Sequence, residues 1–472
     1  MRSNKRPPIM KLVRAVAGIV VSAVLLLLAL PPADVGMLGW VALFPLLWGV
    51  AGQRFLVGFC SGLGVGLVAA WMAVKGWFYS PSILDGDPGW VYTGFALIGL
   101  IVAIVSGAFA EVRIWTAARV VTLASLGVVL EFASMAVLPV HLALTQYRSP
   151  LLLGVAGTFG IWGVSWLLWL ANICLAALVS SRRVGAGIIP IVIAIPILLI
   201  GFGNWLFSSP PTSSIRVAAV QTESTDLDTL AKLNAKAGLV DLVVWPELSA
   251  SDSAPSGDTK KLRSLAADVL QPTFVTTFRD EAKPLPHNAA SLFSKDGESR
   301  RYFKRKLFAG EKAIHAAGSD ALAVELRGSF GDSALVGLNI CFDSCFPAIM
   351  RDTARTASLI ALPTLDPRTP NGVVQAIHAA YTPFRAAELS VPIIRADTTA
   401  YSMIVDGDGR ILAEAGSGTE QVILAKVGGG SRLFMNLGEL AVWLCLAAVL
   451  IHGALAIRSR KSRASPDAPS PS

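Results

Sequence analysis

The sequence predicts a polytopic α-helical membrane domain of about eight transmembrane helices joined to an α/β sandwich domain. Three observations carry that expectation. Of the 472 residues, 53% are hydrophobic and only 15% charged, whereas a soluble chain carries about a quarter charged residues. Apolar segments long enough to cross hydrocarbon, which takes ~20 residues each, occur at 15–30, 35–52, 55–74, 90–110, 120–140, 161–180, 186–207 and 434–457. Between the last two, the chain instead alternates short branched apolar runs with helix-like ones, the pattern of packed sheets and helices.

The first segment is followed by Pro31-Pro32 and a second apolar run, with no small-residue cleavage site. It therefore reads as an anchor and not a removed signal peptide, and the two prolines as the turn of a hairpin. Orientation follows from the basic residues in the short connections. One side collects Arg2, Lys5, Arg6, Lys11, Arg14, Arg54, Arg113, Arg119, Arg182, Arg183, Arg458, Arg460, Lys461 and Arg463, and the other only Lys75 and Arg148. That asymmetry puts the N-terminus in the cytoplasm and the sandwich outside it. It also spreads the net charge of +8 over membrane loops, which speaks against nucleic acid, whose readers cluster their charge on one soluble face.

Polar residues within the spans are costly and often functional. Glu131 reads equally well as a structural partner of another helix, and Asn172 as helix-bridging glue. Lys75, beside Trp77, Phe78 and Tyr79, reads as an interfacial anchor.

The expected division is 1–207 as a membrane domain with seven spans, 208–432 as an extracytoplasmic α/β domain, 433–457 as a last span and 458–472 as a cytoplasmic tail. The tail's end, 465–472, is rich in Pro and Ser and reads as disordered. Strand-like runs fall at 215–221, 239–245, 273–277, 289–293, 335–340, 358–363, 391–396 and 403–406, and helix-like ones at 227–237, 259–270 and 372–388. Five cysteines and five histidines lie scattered, without a CxxC pair or a Cys/His spacing suited to zinc. No metal and no cofactor are expected.

Three stretches of the sandwich carry chemistry. The run 334–340 is a buried-strand pattern that delivers Cys341 at its end, where Asp343 and Pro347 break it, and a thiol on such a tight turn is exposed on one side, with backbone N–H groups to lower its pKa. A second apolar strand, 239–245, ends at Trp245-Pro246-Glu247, and Pro246 stops it so that Glu247 stands at its mouth. In the third, 301–311, Lys304 lies among Tyr302, Phe303, Leu307 and Phe308. Taken singly, the cysteine reads as an inert core residue, the glutamate as solvated and the lysine as surface. In this order, beside these strands, they make the base, cation and nucleophile that acyl transfer needs.

Trp245-Pro246-Glu247, the Tyr302-x-Lys304-x-x-Leu307 spacing and Cys341-Phe342-Asp343-x-x-Phe346-Pro347 together resemble the nitrilase, or carbon–nitrogen hydrolase, superfamily. The flanking spans, with the 30–48 stretch LPPADVGMLGWVALFPLLW, Thr158–Trp166 and Phe384–Ala396, resemble its membrane-embedded, lipoprotein-acylating branch. The resemblance implies a four-layer αββα sandwich and a Glu247–Lys304–Cys341 triad. It makes Glu311 a second glutamate orienting the lysine and cysteine, although Ala309-Gly310-Glu311 is one residue shorter than the family's run. Trp245, Tyr302, Phe342 and Asp343 become substrate-binding candidates. The implied reaction is N-acylation of the N-terminal diacylglyceryl-cysteine of an apolipoprotein, with a membrane phospholipid as donor and a thioester on Cys341 as intermediate, in a bacterial inner membrane.

The chain departs from the family at Val137–Val140, at Pro363–Pro367 and at Asp397, which replaces an asparagine, and all three touch the substrate pocket more than the thiol chemistry. A membrane-anchored amidase that resolves the thioester with water is the alternative. A transporter would show broken helices and mid-membrane charges beyond Glu131, and a catalytically dead scaffold would not keep the triad. Cys345, four residues beyond Cys341, reads as a buried helix residue.

Overall fold

A computed structural model describes residues 8–78, 86–181, 184–207, 215–268, 271–281, 283–327, 333–430 and 436–464. The helices before the sandwich are α1 (Pro8–Ala29), α2 (Phe44–Val50), α3 (Phe55–Val74), α4 (Gly89–Ala110), α5 (Ala117–Ser134), α6 (Pro150–Ser181) and α7 (Val184–Leu206). All but the short α2, together with the C-terminal Leu440–Ala464, are long and apolar enough to cross a membrane, giving seven such helices among the described residues.

The segment 35–52 thus departs from expectation: it is a 3₁₀ turn, Gly36–Trp40, followed by α2. Pro45 in the first turn of α2 has no N–H to continue a helix from upstream, and Asn172 holds the break. Its Oδ1 accepts from the N–H groups of Leu43 at 2.8 Å and Phe44 at 3.0 Å, and its Nδ2 donates to the Gly39 carbonyl at 3.0 Å. The segment still retraces α1 in antiparallel register. Val35 N–H reaches the Leu28 carbonyl at 2.8 Å, Leu46 N–H the Ser22 hydroxyl at 3.0 Å, and Arg14 the Trp48 carbonyl at 2.7 Å. The chain therefore turns back along α1 before α3 begins.

Two ends of the bundle differ. At one, Arg14 meets Trp48, and Arg113 donates to the Gly52 carbonyl at 2.6 Å, so the basic loops come together; Arg182 and Arg183 lie outside the described residues. At the other end stands the sandwich. Arg148 ties Asp34 of the first hairpin, at 3.2 Å, to Glu414 of the sandwich, at 2.8 Å. Asn371 donates to the Ala73 carbonyl at 3.0 Å, and Trp90 packs on Phe308 with centroids 4.4 Å apart. Helix α6 breaks at Gly160, whose φ of 66° suits a residue without Cβ, and Glu388 accepts the freed Ile161 N–H at 2.7 Å.

The sandwich begins with β1 (Ile215–Gln221), α8 (Leu227–Lys236), β2 (Leu242–Val244), α9 (Lys260–Ala266), β3 (Phe274–Asp280), β4 (His287–Ser294), β5 (Gly297–Glu298) and β6 (Tyr302–Phe303). It continues with β7 (Leu322–Arg327), β8 (Ser333–Leu338), α10 (Pro347–Ala354), β9 (Leu359–Thr364), α11 (Val373–Ala379), α12 (Tyr381–Leu389), β10 (Ile393–Asp397), β11 (Met403–Val405), β12 (Ile411–Glu414) and β13 (Gln421–Val427), before α13 (Leu440–Ala464). One sheet runs β13-β1-β2-β3-β4-β5 with β6 on β4, the other β12-β11-β10-β9-β8-β7.

Strand alternation builds the layers. In β1, Val217 and Ala219 face the core between the sheets, while Ala218 and Val220 join Leu230, Leu233 and Leu262 under α8 and α9. In β9, Leu359 and Ala361 face inward, while Ile360 and Leu362 pack with Met350 and Ala386 under α10 and α12. The result is the αββα order. Strands β5, β6, β7, β12 and β13 are absent from the sequence reading, and the expected single helix 372–388 is two, α11 and α12.

Candidate active site

The central strands of both sheets point their C-terminal ends at one place. The ladder β8–β9 ends just before Cys341, which opens a 3₁₀ turn, Cys341–Cys345, with φ +47°. A non-glycine residue in that region is strained, and the turn is held by Asp343. One carboxylate oxygen of Asp343 accepts from Tyr302 OH at 2.7 Å and Ile340 N–H at 3.0 Å, the other from Lys306 N–H at 2.7 Å.

Glu247 follows β2, as Pro246 dictates. Its Oε1 accepts from Lys304 Nζ at 2.8 Å and Asn288 Nδ2 at 2.6 Å, its Oε2 from Leu365 N–H at 2.8 Å, and the Cys341 thiol is a further partner. Lys304 also donates to Glu311 Oε1 at 2.7 Å, and the other oxygen of Glu311 accepts Phe308 N–H at 2.7 Å. All four predicted catalytic side chains thus converge.

Burial is the largest influence on Glu247, Cys341 and Lys304. It pushes the Glu247 carboxyl up, which the Lys304 charge opposes and Glu311 reinforces. It pushes the Cys341 thiol well up, with Glu247 adding to it and Lys304 opposing. Burial alone would discharge Lys304, but Cys341, Glu247 and Glu311 around it hold its ammonium above the usual range. The expected lowering of the thiol pKa is therefore corrected: in a dry site beside a carboxylate the resting thiol keeps its proton. A base is then required, and Glu247, raised toward neutrality, is suited to that task.

These groups open into a cavity of about 500 Å³ whose wall is shared between the two halves of the molecule. Phe342, Phe308, Leu365 and Tyr381 come from the sandwich, and Leu30, Trp90, Phe95, Ile98, Leu138 and Val140 from the membrane helices and their loops. Among the substrate-binding candidates, Phe342 lies on this wall. Trp245, Tyr302 and Asp343 do not. Trp245 alternates outward, stacks on Phe274 at 4.3 Å and donates to Asn234 at 2.9 Å under α8. Tyr302 donates to Asp343 and accepts from Asn339, while Asp343 also takes the Ile340 and Lys306 N–H groups, so both brace the turn.

A carbon-nitrogen hydrolase model matches residues 216–430, and a model of the apolipoprotein N-acyltransferase N-terminal domain matches residues 22–174. An apolipoprotein N-acyltransferase of Geobacter metallireducens is 25% identical over 520 residues, covering 94% of this chain and 95% of its own. Over nearly its whole length the chain is thus similar to apolipoprotein N-acyltransferases, with a carbon–nitrogen hydrolase domain at 216–430. An amidase from Nesterenkonia sp. is 22% identical with a TM-score of 0.39, covering 46% of this chain and 91% of its own. A superfamily protein from Xanthomonas campestris, with an arsenic adduct in its active site, gives 22%, 0.39, 46% and 91% respectively.

In this N-acyltransferase-type chain the sequence reading missed a second polar group beneath the thiol. His378 Nδ1 pairs with Asp366 Oδ1 at 2.6 Å and its Nε2 with Ser344 Oγ at 3.0 Å, while Ser344 donates to the Cys341 carbonyl at 2.8 Å. Arg395 donates to Asp366 at 2.5 Å and to Asp397 at 2.8 Å. Against the cost of burial, His378 and Arg395 draw Asp366 down to about 2, whereas burial and then the Asp366 charge push Asp397 up to about 8. Cys341, Asp366 and His378 present ligand atoms within 4.8 Å of one another. The Arg395 guanidinium already occupies Asp366, however, so this donor set suits an imidazole–carboxylate pair bracing the turn better than a cation. Asp366 was visible only as part of a departure from the family, and Arg395 as part of a matching stretch.

The remaining polar residues behave structurally. Glu131 accepts from Trp169 Nε1 at 2.8 Å and Leu142 N–H at 3.0 Å, and Lys75 is exposed at the end of α3. Cys345 is a free, buried thiol on the 3₁₀ turn and not on a helix, because the helix starts only at Pro347.

Proposed function

We propose that this chain N-acylates the N-terminal diacylglyceryl-cysteine of apolipoproteins with an acyl chain taken from a membrane phospholipid, through a thioester on Cys341. The observation that carries the reading is the opening of the Glu247–Lys304–Glu311–Cys341 cluster into an apolar cavity walled by α4. An amidase for small soluble molecules needs no such wall. An acyl donor does, because moving its chain into water costs ~0.8 kcal/mol per methylene.

In the first half-reaction Glu247 takes the thiol proton, and the Cys341 sulfur attacks the ester carbonyl. Lys304 and backbone N–H groups at the turn hold the oxyanion. Collapse breaks the bond to the glycerol oxygen, which takes the proton from Glu247 and leaves as a lysophospholipid. In the second half the neutral α-amine of the lipoprotein attacks the thioester carbonyl, and Glu247 takes its proton. Collapse expels the Cys341 sulfur, the proton returns to it, and the amide leaves. Glu311 positions Lys304 and holds it charged.

Residues 1–207 and 433–457 act as the membrane body, 208–432 as the catalytic domain and 458–472 as a cytoplasmic tail. The basic loops gathered at the end of the bundle away from the sandwich support an extracytoplasmic active site in the inner membrane. The test incubates purified protein with phospholipid vesicles and a diacylated lipopeptide, with mass spectrometry of both. One acyl chain should appear on the peptide amine and one lysophospholipid per transfer. Free fatty acid with an unmodified peptide would mean that water resolves the thioester.

A further inference from the structure

The cavity at Cys341 does not end at the membrane surface. It shares four wall residues, Leu30, Ile98, Val140 and His141, with a second, smaller cavity of about 30 Å³ that lies deeper in the bundle. Helix α4 runs alongside both. Trp90 packs on Phe308, and Phe308 meets Phe342 beside the nucleophile at 5.2 Å. Gly94 and Ile98 then follow on the same face, four residues apart each time, and Ile101 and Val102 line the deeper cavity.

The deeper cavity is mostly apolar but carries a polar patch on its wall. Glu131 and Trp169, hydrogen-bonded to each other, line it, and Glu131 Oε2 faces His141 Nδ1 at 3.6 Å with no hydrogen bond of its own. A terminal methyl pushed against a buried carboxylate gains nothing and keeps water or a donor from it. A chain entering from Cys341 thus meets first a partition of three apolar side chains and His141, and beyond it a wall whose buried carboxylate disfavours a methyl end.

We propose that the partition of Leu30, Ile98, Val140 and His141 is an acyl-length stop, so that α4 measures the chain transferred. The inference rests on the acyltransferase reading of this site. Two substitutions push in opposite directions. Ile98→Ala removes side-chain volume from the partition and joins the cavities, so longer chains should be taken. Gly94→Leu adds volume between Cys341 and the stop. A Cβ at Gly94 meets only Leu138 Cδ2, at 3.9 Å, so the helix accepts the change while the cavity shortens.

The experiment offers full-length protein vesicles of phosphatidylethanolamine carrying lauroyl, palmitoyl and arachidoyl chains in equal amounts, with a diacylated lipopeptide acceptor. The chain on the lipopeptide amine is read by mass spectrometry. Ile98→Ala should move the long-to-medium ratio up, and Gly94→Leu should move the short-to-medium ratio up, each by roughly tenfold for a pocket that discriminates by methylenes. If wild type and both variants transfer the three chains in the same proportions, the stop is not there. If wild type transfers no chain at all, it is the acyltransferase reading that fails, a result distinct from the first.

Discussion

The two walls of the cavity at Cys341 are built on opposite principles. On the sandwich side the carboxylate oxygens of Glu247 and Glu311 have partners within 3.0 Å, and Asp343 behind them fixes the turn that carries Cys341. On the membrane side the wall is Leu30, Trp90, Phe95, Ile98 and Leu138, apolar side chains on the membrane helices and their loops that make no polar demand. Polar groups in a dry site must be paired in one geometry, whereas apolar packing tolerates exchange of volume. Chemistry should therefore be brittle to substitution on one wall, and substrate choice plastic on the other.

The largest break is expected at the sulfur. Cys341→Ala should lower transfer by more than about 10⁴-fold, as removal of a nucleophile does, while the folded protein stays as stable as wild type in a thermal melt. A variant that still transfers would leave the thioester without a site. Glu247→Gln keeps the shape but removes the base, and transfer should fall by about 10²–10⁴-fold. Because the buried thiol keeps its proton, labelling of Cys341 by a thiol reagent should slow as well. Unchanged labelling with lost transfer would assign Glu247 to the second half-reaction alone.

The brittle wall was the legible one. Glu247 and Cys341 stand where apolar strand patterns stop, at Pro246 and before Asp343, and Lys304 lies in an aromatic cluster, so local sequence marks all three. Their supports come from far along the chain. Asn288 reaches Glu247 from β4, and His378, Asp366 and Arg395 meet under the turn from three different elements, which no local pattern records. Motif adjacency also misled. Trp245 precedes Glu247 by two residues, yet in β2 the alternation sends it to the outer layer with Val243, while Val244 faces inward. Segment 35–52 has the composition of a span but is broken at Trp40–Phe44, because Asn172, a residue on another helix, supplies the partners for its backbone. Strand β13 pairs along β1 at the edge of its sheet and is partly exposed, so its short apolar run 422–425, set between Gln421 and Lys426, shows no regular alternation to mark it.

A smaller effect should separate catalysis from stability on the brittle side. The Asp397 carboxyl is raised from 3.8 to about 8, first by burial and then by the Asp366 charge. Its folded form therefore holds a proton over a pH range in which the unfolded chain has lost it. The stability it contributes is complete below about 4 and is lost as pH rises through about 8. Asp397→Asn keeps a donor toward Asp366 and cannot ionise. The variant should gain more melting temperature over wild type at pH 9 than at pH 5, by about 2–4 °C per kcal/mol recovered. Equal melting curves at both values would mean that the carboxyl titrates normally.

The smallest effect is expected where the two halves meet in water. Arg148 spans Asp34 and Glu414, but its side chain is 43% exposed, and its partners are about a quarter exposed. Exposed pairs of this kind contribute ~0–1 kcal/mol and are screened by salt. Arg148→Ala should therefore shift the melt by no more than about 1 kcal/mol, less at high salt, and leave the chain-length distribution of the product unchanged. Attachment between the halves rests instead on less exposed junctions: buried Glu388 at the break in α6, and half-buried Asn371 on the end of α3 and Trp90 on Phe308. If Arg148→Ala altered which chain is transferred, the exposed seam would be setting the shape of the cavity, and the division between a brittle polar wall and a plastic apolar one would have to be drawn elsewhere.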